Sequence, residues 1–443
     1  MGPRVLAELA VADLSARAMF YLGRVKKFAY CFKAWSKSMN LVENLESRVP
    51  PHSSESAICV GDAARTRIDS IDLLRGLVMV LMALDHTRDF FGASGMNPRD
   101  VADPALFLTR WITHFCAPTF ILLAGVSAYL YGVRAHSVGE LSRFLLTRGL
   151  WLVLLELTVV RFGWRFNFDL SYFVFQVIWV IGASMIVLAA LVYMPRWAIA
   201  AIGLGMIGGH NLLDGVRAED FARAGWVWNF LHQPALVRGW DVLLFPLYTL
   251  IPWVGVMAAG YALGPVMRLK RARRRSLLIG IGTGITVGFV LLRAVNLYGD
   301  PVAWTVHRSW SETVLSFINC EKYPPSLLYL MMTLGPALLL LAAFESVHGR
   351  LASWITTFGR VPLFYYIGHI YLIHLLAVIY AAMTVGDIAW LFGDFARPDP
   401  GRYGLPLLGI YGVWLFVVVA LYPLCRWFAA LKKYQRWWWL SYL

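Results

Sequence analysis

The residues whose types and spacing could do chemistry are concentrated around one apolar run. Asp69, Asp72, Arg75, Asp85, His86, Arg88 and Asp89 flank or interrupt residues 77–84, which are all apolar. Ionisable groups in such a run are costly in lipid, so each is a functional position by default. On a helix, at about 100° per residue, Arg75 and His86 fall within roughly 20° of each other and about 16 Å apart along the axis. Asp72 and Asp89 lie near the same stripe, with Met79 and Met82 between them. A neutral imidazole at position 86 can take or give a proton near neutral pH. A guanidinium at position 75 can bind an anion or stabilise an oxyanion. The plainer readings are an Asp72–Arg75 ion pair at the membrane surface and a hydrogen-bonded structural histidine. Asp85, on a different face, reads as a packing partner.

Four further places carry polar chemistry. Arg110 and His114 are four residues apart, share a helix face and precede Pro118, which can loosen the backbone there. His114 is either a second base or a helix-packing hydrogen-bond partner. Gly125, Ser127 and Ala128 read as close-packing residues. Glu156 lies between Arg148 and Arg161, placed either to position a cation or to form an interfacial pair. Residues 319–326 combine Glu321 and Lys322 with the stiff Pro324-Pro325 pair, a structural turn or a contact for an anionic substrate. Tyr365, Tyr366, His369 and His374 share a late apolar segment. The candidate catalytic residues are His86, Arg75 and His114. The candidate substrate- or donor-binding residues are Asp72, Asp89, Arg110, Glu156, Lys322, Tyr366 and His369. No metal site is expected: His369 and His374 point to different faces, and no His-Glu-x-x-His motif occurs. Phosphate-loop and dinucleotide fingerprints are also missing. The five cysteines have neither zinc nor redox spacing.

The elements that must position these residues are membrane helices. Of 443 residues, 59% are hydrophobic and only 15% charged, against about 45–50% and about 25% in soluble domains. That balance excludes a secreted disulfide scaffold, a disordered chain and most cytosolic enzymes. Nineteen Trp and twenty Tyr fit interfacial belts. The expected fold is all-α, a polytopic transmembrane bundle of about ten helices. The spans are placed near 71–91, 106–131, 141–161, 172–194, 196–211, 244–264, 276–297, 326–346, 361–385 and 405–428. The fifth is short, a full or a partial crossing.

A formal charge of +14 is read as cytoplasmic loops and anionic headgroups rather than nucleic acid. The densest basic cluster, Arg268 to Arg275, is placed in the cytoplasm; topology alone accounts for it. The N-terminal lysines, Arg134 to Arg148, Arg350 and the tail Lys432, Lys433 and Arg436 then share that side. Asp214, Glu219, Asp220, Asp300, Glu312, Asp387, Asp394 and Asp399 face the other, and both termini are cytoplasmic. Arg436-Trp437-Trp438-Trp439 reads as an interfacial anchor. Residues 1–66 form a basic, polar extension, either a surface-lying amphipathic segment or an upstream start-site artefact. Residues 67–443 form the membrane domain.

The stretch Arg67-Ile68-Asp69-Ser70-Ile71-Asp72-Leu73-Leu74-Arg75-Gly76, continuing to Asp85-His86, resembles the opening helix of a bacterial membrane family. That family is named for the heparan-α-glucosaminide N-acetyltransferase catalytic domain. The same stretch is similar to the acyltransferase-three family, whose opening helix carries an Arg and a His separated by ten residues. Lys322-Tyr323-Pro324-Pro325-Ser326-Leu327 and Phe358-Gly359-Arg360-Val361-Pro362-Leu363-Phe364-Tyr365-Tyr366 also resemble the first group, so the likeness runs from about residue 67 to the end. It implies an enzyme of the inner membrane that passes an acyl group, commonly acetyl from acetyl-CoA, to a sugar hydroxyl or amine across the membrane. Arg75 and His86 carry over. The His-x-x-Trp-Asn-Gly stretch of the glucosaminide enzyme has no counterpart in residues 92–105. The implied partners are the bilayer, an acyl-CoA donor and a carbohydrate acceptor, with no tightly bound cofactor and with a homodimer admissible. The second reading is a transporter of a sugar, lipid-linked intermediate or organic anion that uses the Arg–His stripe as a path.

Overall fold

In the computed structural model the described residues are 68–435 except Ser94, Trp240 and 394–400. The N-terminal extension, Cys31, Cys59, Asp394, Asp399 and the tryptophan anchor lie outside the described residues. Of the described residues, 73% are helical. The first half runs α1 (Asp69–Phe91), α2 (Pro104–Thr113), α3 (Cys116–Gly132), α4 (Val138–Leu155), a π turn (Glu156–Val160), α5 (Arg161–Arg165), β1 (Tyr172–Val174), α6 (Val177–Leu191) and α7 (Arg196–Gly209). After α8 (Gly225–Leu231) come β2 (Val237–Gly239), β3 (Val242–Phe245), α9 (Leu250–Leu263) and α10 (Arg271–Val295). The chain closes with α11 (Trp310–Ile318), α12 (Leu327–Phe344), α13 (Arg350–Arg360), α14 (Pro362–Thr384) and α15 (Leu407–Tyr434).

Each of the ten apolar segments contains helix, but ten crossings are not confirmed. Among the described residues six helical segments are long and apolar enough to span a membrane, or seven if one bent pair counts as a span. The six are Pro104–Gly132, Leu250–Arg268, Arg271–Val295, Leu327–Phe344, Pro362–Thr384 and Leu407–Tyr434. Charge excludes α1, and also α4 with Glu140, Arg143 and Arg148. Length excludes α6, whose 15 residues reach only about 22 Å against a core of about 30 Å, while α7 belongs to the bent pair. The expected starts at 172 and 244 are strand instead. β3 pairs parallel to β1 and antiparallel to β2. Short apolar, aromatic-rich runs such as these fit either state by hydropathy alone.

The charged helix α1 is the centre of the bundle, packed by α3, α12, α13, α14 and α15. Its backbone also receives side chains from distant segments: Trp414 Nε1 donates to the Val80 carbonyl (2.8 Å) and Tyr403 OH to that of Phe90 (2.8 Å).

Glycine sets how closely the helices approach. A Cβ on Gly76 of α1 would lie 1.9 Å from the Ile355 carbonyl oxygen of α13, and one on Gly359 of α13 would lie 1.8 Å from that of Asp72. The same mutual arrangement recurs where α3 meets α9 (Gly125, Gly260), α4 meets α6 (Gly149, Gly182), α7 meets α9 (Gly203, Gly255) and α10 meets α12 (Gly282, Gly335). These five crossings are the most extensive helix–helix interfaces in the fold. Small residues serve this purpose in membranes because lipid removes the hydrophobic drive between helices and leaves close van der Waals packing.

Gly76→Val and Gly359→Val are each expected to lower the midpoint of thermal unfolding in detergent by several degrees, since overpacking costs about 1–3 kcal/mol or more. Gly280→Ala, where a Cβ meets nothing within 4 Å, is expected to leave the midpoint unchanged or raise it. A wild-type midpoint for Gly76→Val would contradict a backbone-close crossing.

Candidate active site

His86 and His369 meet across the α1–α14 interface. Nδ1 of His86 is 2.7 Å from Nε2 of His369, with the rings stacked 4.9 Å apart and 7° from parallel. Nδ1 of His369 lies 2.8 Å from the Tyr365 carbonyl. A carbonyl only accepts, so Nδ1 of His369 carries the proton and its neutral ring accepts at Nε2. His86 must then donate from Nδ1, which leaves its Nε2 lone pair without a partner among the described residues. The hydrogen-bond chain therefore selects one tautomer of His86 and makes Nε2 its basic atom. His369 is fully buried while His86 keeps 8% of its surface exposed, so the exposed member of the pair is the one with the free lone pair.

The surrounding wall is aromatic. Trp164 meets His86 edge-on at 4.9 Å and stacks on Phe90 at 5.3 Å, and Tyr366 lies 5.9 Å from the His86 ring. The π turn before α5 sets the position of Trp164. A π turn breaks the regular i→i−4 bonding of a helix, and α14 supplies hydrogen bonds to this segment. Tyr371 OH donates to the Val159 carbonyl and His374 Nδ1 to that of Gly163, both at 2.8 Å. Separate partners, a neighbouring histidine and a carbonyl, thus occupy His369 and His374.

On the adjacent face of α1 lies a network of charges. Asp85 contacts Arg88 (2.6 Å), Thr113 Oγ1 (2.8 Å) and Lys322 Nζ (3.7 Å), so it is an ionic hub rather than only a packing partner. Arg88 also holds Asp89 at 2.9 Å, and Arg110 and His114 are close enough to couple electrostatically to Asp85 and Arg88. His114 owes its place to Pro118. Proline has no N–H to offer the carbonyl four residues back, and the helix breaks between α2 and α3 at that point. Tyr329 OH supplies the missing donor to the His114 carbonyl, 2.9 Å away. Both ring nitrogens of His114 are buried without a hydrogen-bond partner among the described residues.

Lys322 reaches this cluster because its loop is anchored from below. Arg293, 1% exposed, donates to the carbonyls of Phe317, Val302, Ser316 and Asn319 and lies 3.7 Å from Asp300. Asp300 in turn accepts from the Glu321 amide (2.9 Å) and Ser326 Oγ (2.6 Å), while Glu321 pairs with Arg99. Burial opposes the charge on Lys322, but the adjacent Tyr323 and Asp85 outweigh it and hold its pKa above the ordinary lysine value. Arg293 carries no sequence signal beyond being a cation at the end of an apolar helix.

The remaining candidates stand apart. Arg75 contacts Asp72 (3.4 Å) and Ser127 Oγ (3.0 Å), so the intrahelical ion pair is present and is shared with α3. Glu156 accepts from the Trp179 amide at 2.9 Å, in the first turn of α6, where an acceptor is favoured.

Residues 67–291 match the family described as heparan-alpha-glucosaminide N-acetyltransferase, catalytic. The chain belongs to this family. No curated protein matches it. The match spans α1 to most of α10 and so includes Arg75, His86 and His114, whereas Lys322, Tyr366 and His369 come from beyond it. The residue that orients His86 is thus supplied from outside the matched segment.

Arg293→Met is expected to cost about 3–5 kcal/mol, because it leaves Asp300 buried and unpaired and several carbonyls without a donor. Thermal unfolding, together with faster proteolysis in residues 299–326, checks this. Unchanged values in both would remove Arg293 as the anchor of the Lys322 loop.

Proposed function

We propose that the protein is a membrane-embedded acetyltransferase that moves acetyl from acetyl-CoA to a sugar hydroxyl or amine. The His86–His369 pair is the observation that carries this reading, since it leaves one basic nitrogen on a ring flanked by Trp164 and Tyr366. Nε2 of His86 takes the proton of the acceptor O–H or N–H as that atom attacks the thioester carbonyl. A tetrahedral intermediate forms and then expels the CoA sulfur as the C–S bond breaks. The imidazolium returns the proton to the thiolate, so the products are the acetylated acceptor and CoASH. Acetyl-CoA is consumed as co-substrate, and no resident cofactor takes part.

The other side chains divide by place. Arg75, about 16 Å along α1 from His86, meets the distal part of a donor lying lengthwise from the cytoplasm. Lys322, Arg110 and His114 face the acceptor, with Asp89 accepting from its hydroxyls. The basic loop 268–275 lies in the cytoplasm by the positive-inside rule, in a bacterial inner membrane.

Release of free CoA by purified protein in nanodiscs, with and without pooled hexoses and amino sugars, tests the reading. His86→Ala is expected to lower turnover by about 10²–10⁴-fold, the range of a general base. His369→Gln keeps an oxygen that accepts from His86 Nδ1, so it should retain more activity than His369→Leu. Wild-type turnover in His86→Ala would take His86 out of the chemistry. Sugar counterflow without CoA release would replace the enzyme with a transporter.

A further inference from the structure

The three residues His210, Asp214 and His232 meet where the chain reverses between α7 and α8, away from the His86 site. His210 opens the 3-10 turn that ends α7, Asp214 follows that turn, and His232 ends α8. The segments on either side of the reversal are bent by 108°. One ligand atom from each residue lies within 4.8 Å of the other two.

A simple His–Asp pair accounts for only part of this. His232 Nε2 is 3.0 Å from Asp214 Oδ1, but both ring nitrogens of His210 are buried without a hydrogen-bond partner among the described residues, as is Nδ1 of His232. His210 is 1% exposed and its ring centre is 5.7 Å from that of His232. Imidazole nitrogens removed from water normally find a partner, and a pair of nitrogens converging on a carboxylate is a transition-metal donor set. The geometry points to a divalent metal site of the zinc type, with two imidazoles and one carboxylate as protein ligands and a fourth position for water. Three ligands about 2.0–2.2 Å from one ion in tetrahedral array lie roughly 3.3–3.6 Å apart, so a small inward movement closes the site.

Supporting groups already hold the ligands. Asn211 Nδ2 donates to Asp214 Oδ2 at 2.9 Å, and Asn211 Oδ1 accepts from the Leu327 amide at 2.9 Å. The carboxylate is thereby oriented as ligands in metal sites usually are. The same asparagine joins the site to the first turn of α12, next to Ser326 of the Lys322 loop. Asp214 is the most exposed of the three, its side chain 30% accessible, and offers the ion a route in. Wide spacing hides the set from sequence motifs, and no motif predicts a metal here.

Tag-free full-length protein in nanodiscs, stripped with chelator, is titrated with Zn²⁺ against a chromophoric competitor and with Co²⁺ by visible absorption. One equivalent is expected to bind, with the intense ligand-field band of four-coordinate Co²⁺ and a rise in unfolding midpoint. His210→Ala should weaken Zn²⁺ binding by at least roughly 100-fold, and Asn211→Leu by about 10-fold. If either variant fails to fold, the wild-type stoichiometry and Co²⁺ spectrum decide alone. Less than one equivalent, or a six-coordinate aquo-like Co²⁺ spectrum, overturns the site, as does wild-type affinity in folded His210→Ala.

Discussion

Charge on α1 cannot face hydrocarbon, and this constraint organises the fold. A helix carrying Asp72, Arg75, Asp85, His86 and Arg88 has to pair these groups within itself or with the protein around it. Asp72 answers Arg75, Arg88 and Lys322 answer Asp85, and His369 answers His86. The helices enclosing α1 carry few charges of their own, and several are apolar enough to meet lipid. The polar centre of the molecule is thus one helix, and the other helices insulate it.

Insulation at this density requires helices that nearly touch. The five glycine crossings provide it, and the one between α1 and α13 brings backbone against backbone at Gly76 and Gly359. With α13 seated there, the chain turns at Val361 into α14, which brings Tyr365 and His369 alongside α1. A steric requirement at one end of the helix therefore helps place the imidazole that pairs with His86 farther along.

Irregular backbone supplies the rest of the positioning. The π turn at Glu156–Val160 and the break at His114 both interrupt regular helical hydrogen bonding, and side chains from α14 and α12 donate to the carbonyls there. Each defect becomes a point of attachment between distant segments. Trp164 and His114 sit beside those attachments, which ties the shape of the site to departures from ideal helix. The paired histidines then add what a single imidazole lacks, a defined tautomer.

Composition and hydropathy alone determined the membrane character, the helical class and the approximate place of each helical segment long and apolar enough to cross a membrane, because burial in lipid demands long apolar runs whatever their partners. Intramembrane cost singled out Arg75, His86 and His114 in the same way, and the charged pattern of the opening helix was enough to indicate the family. Tertiary structure alone decided which charges pair. His86 and His369 are 283 positions apart, and Lys322 approaches Asp85 only because Arg293 and Asp300 hold its loop. His210, Asp214 and His232 converge only because the chain reverses sharply between them. Periodicity along a helix specifies the face a residue occupies; the neighbour across that face depends on how other helices pack, and no local pattern encodes it.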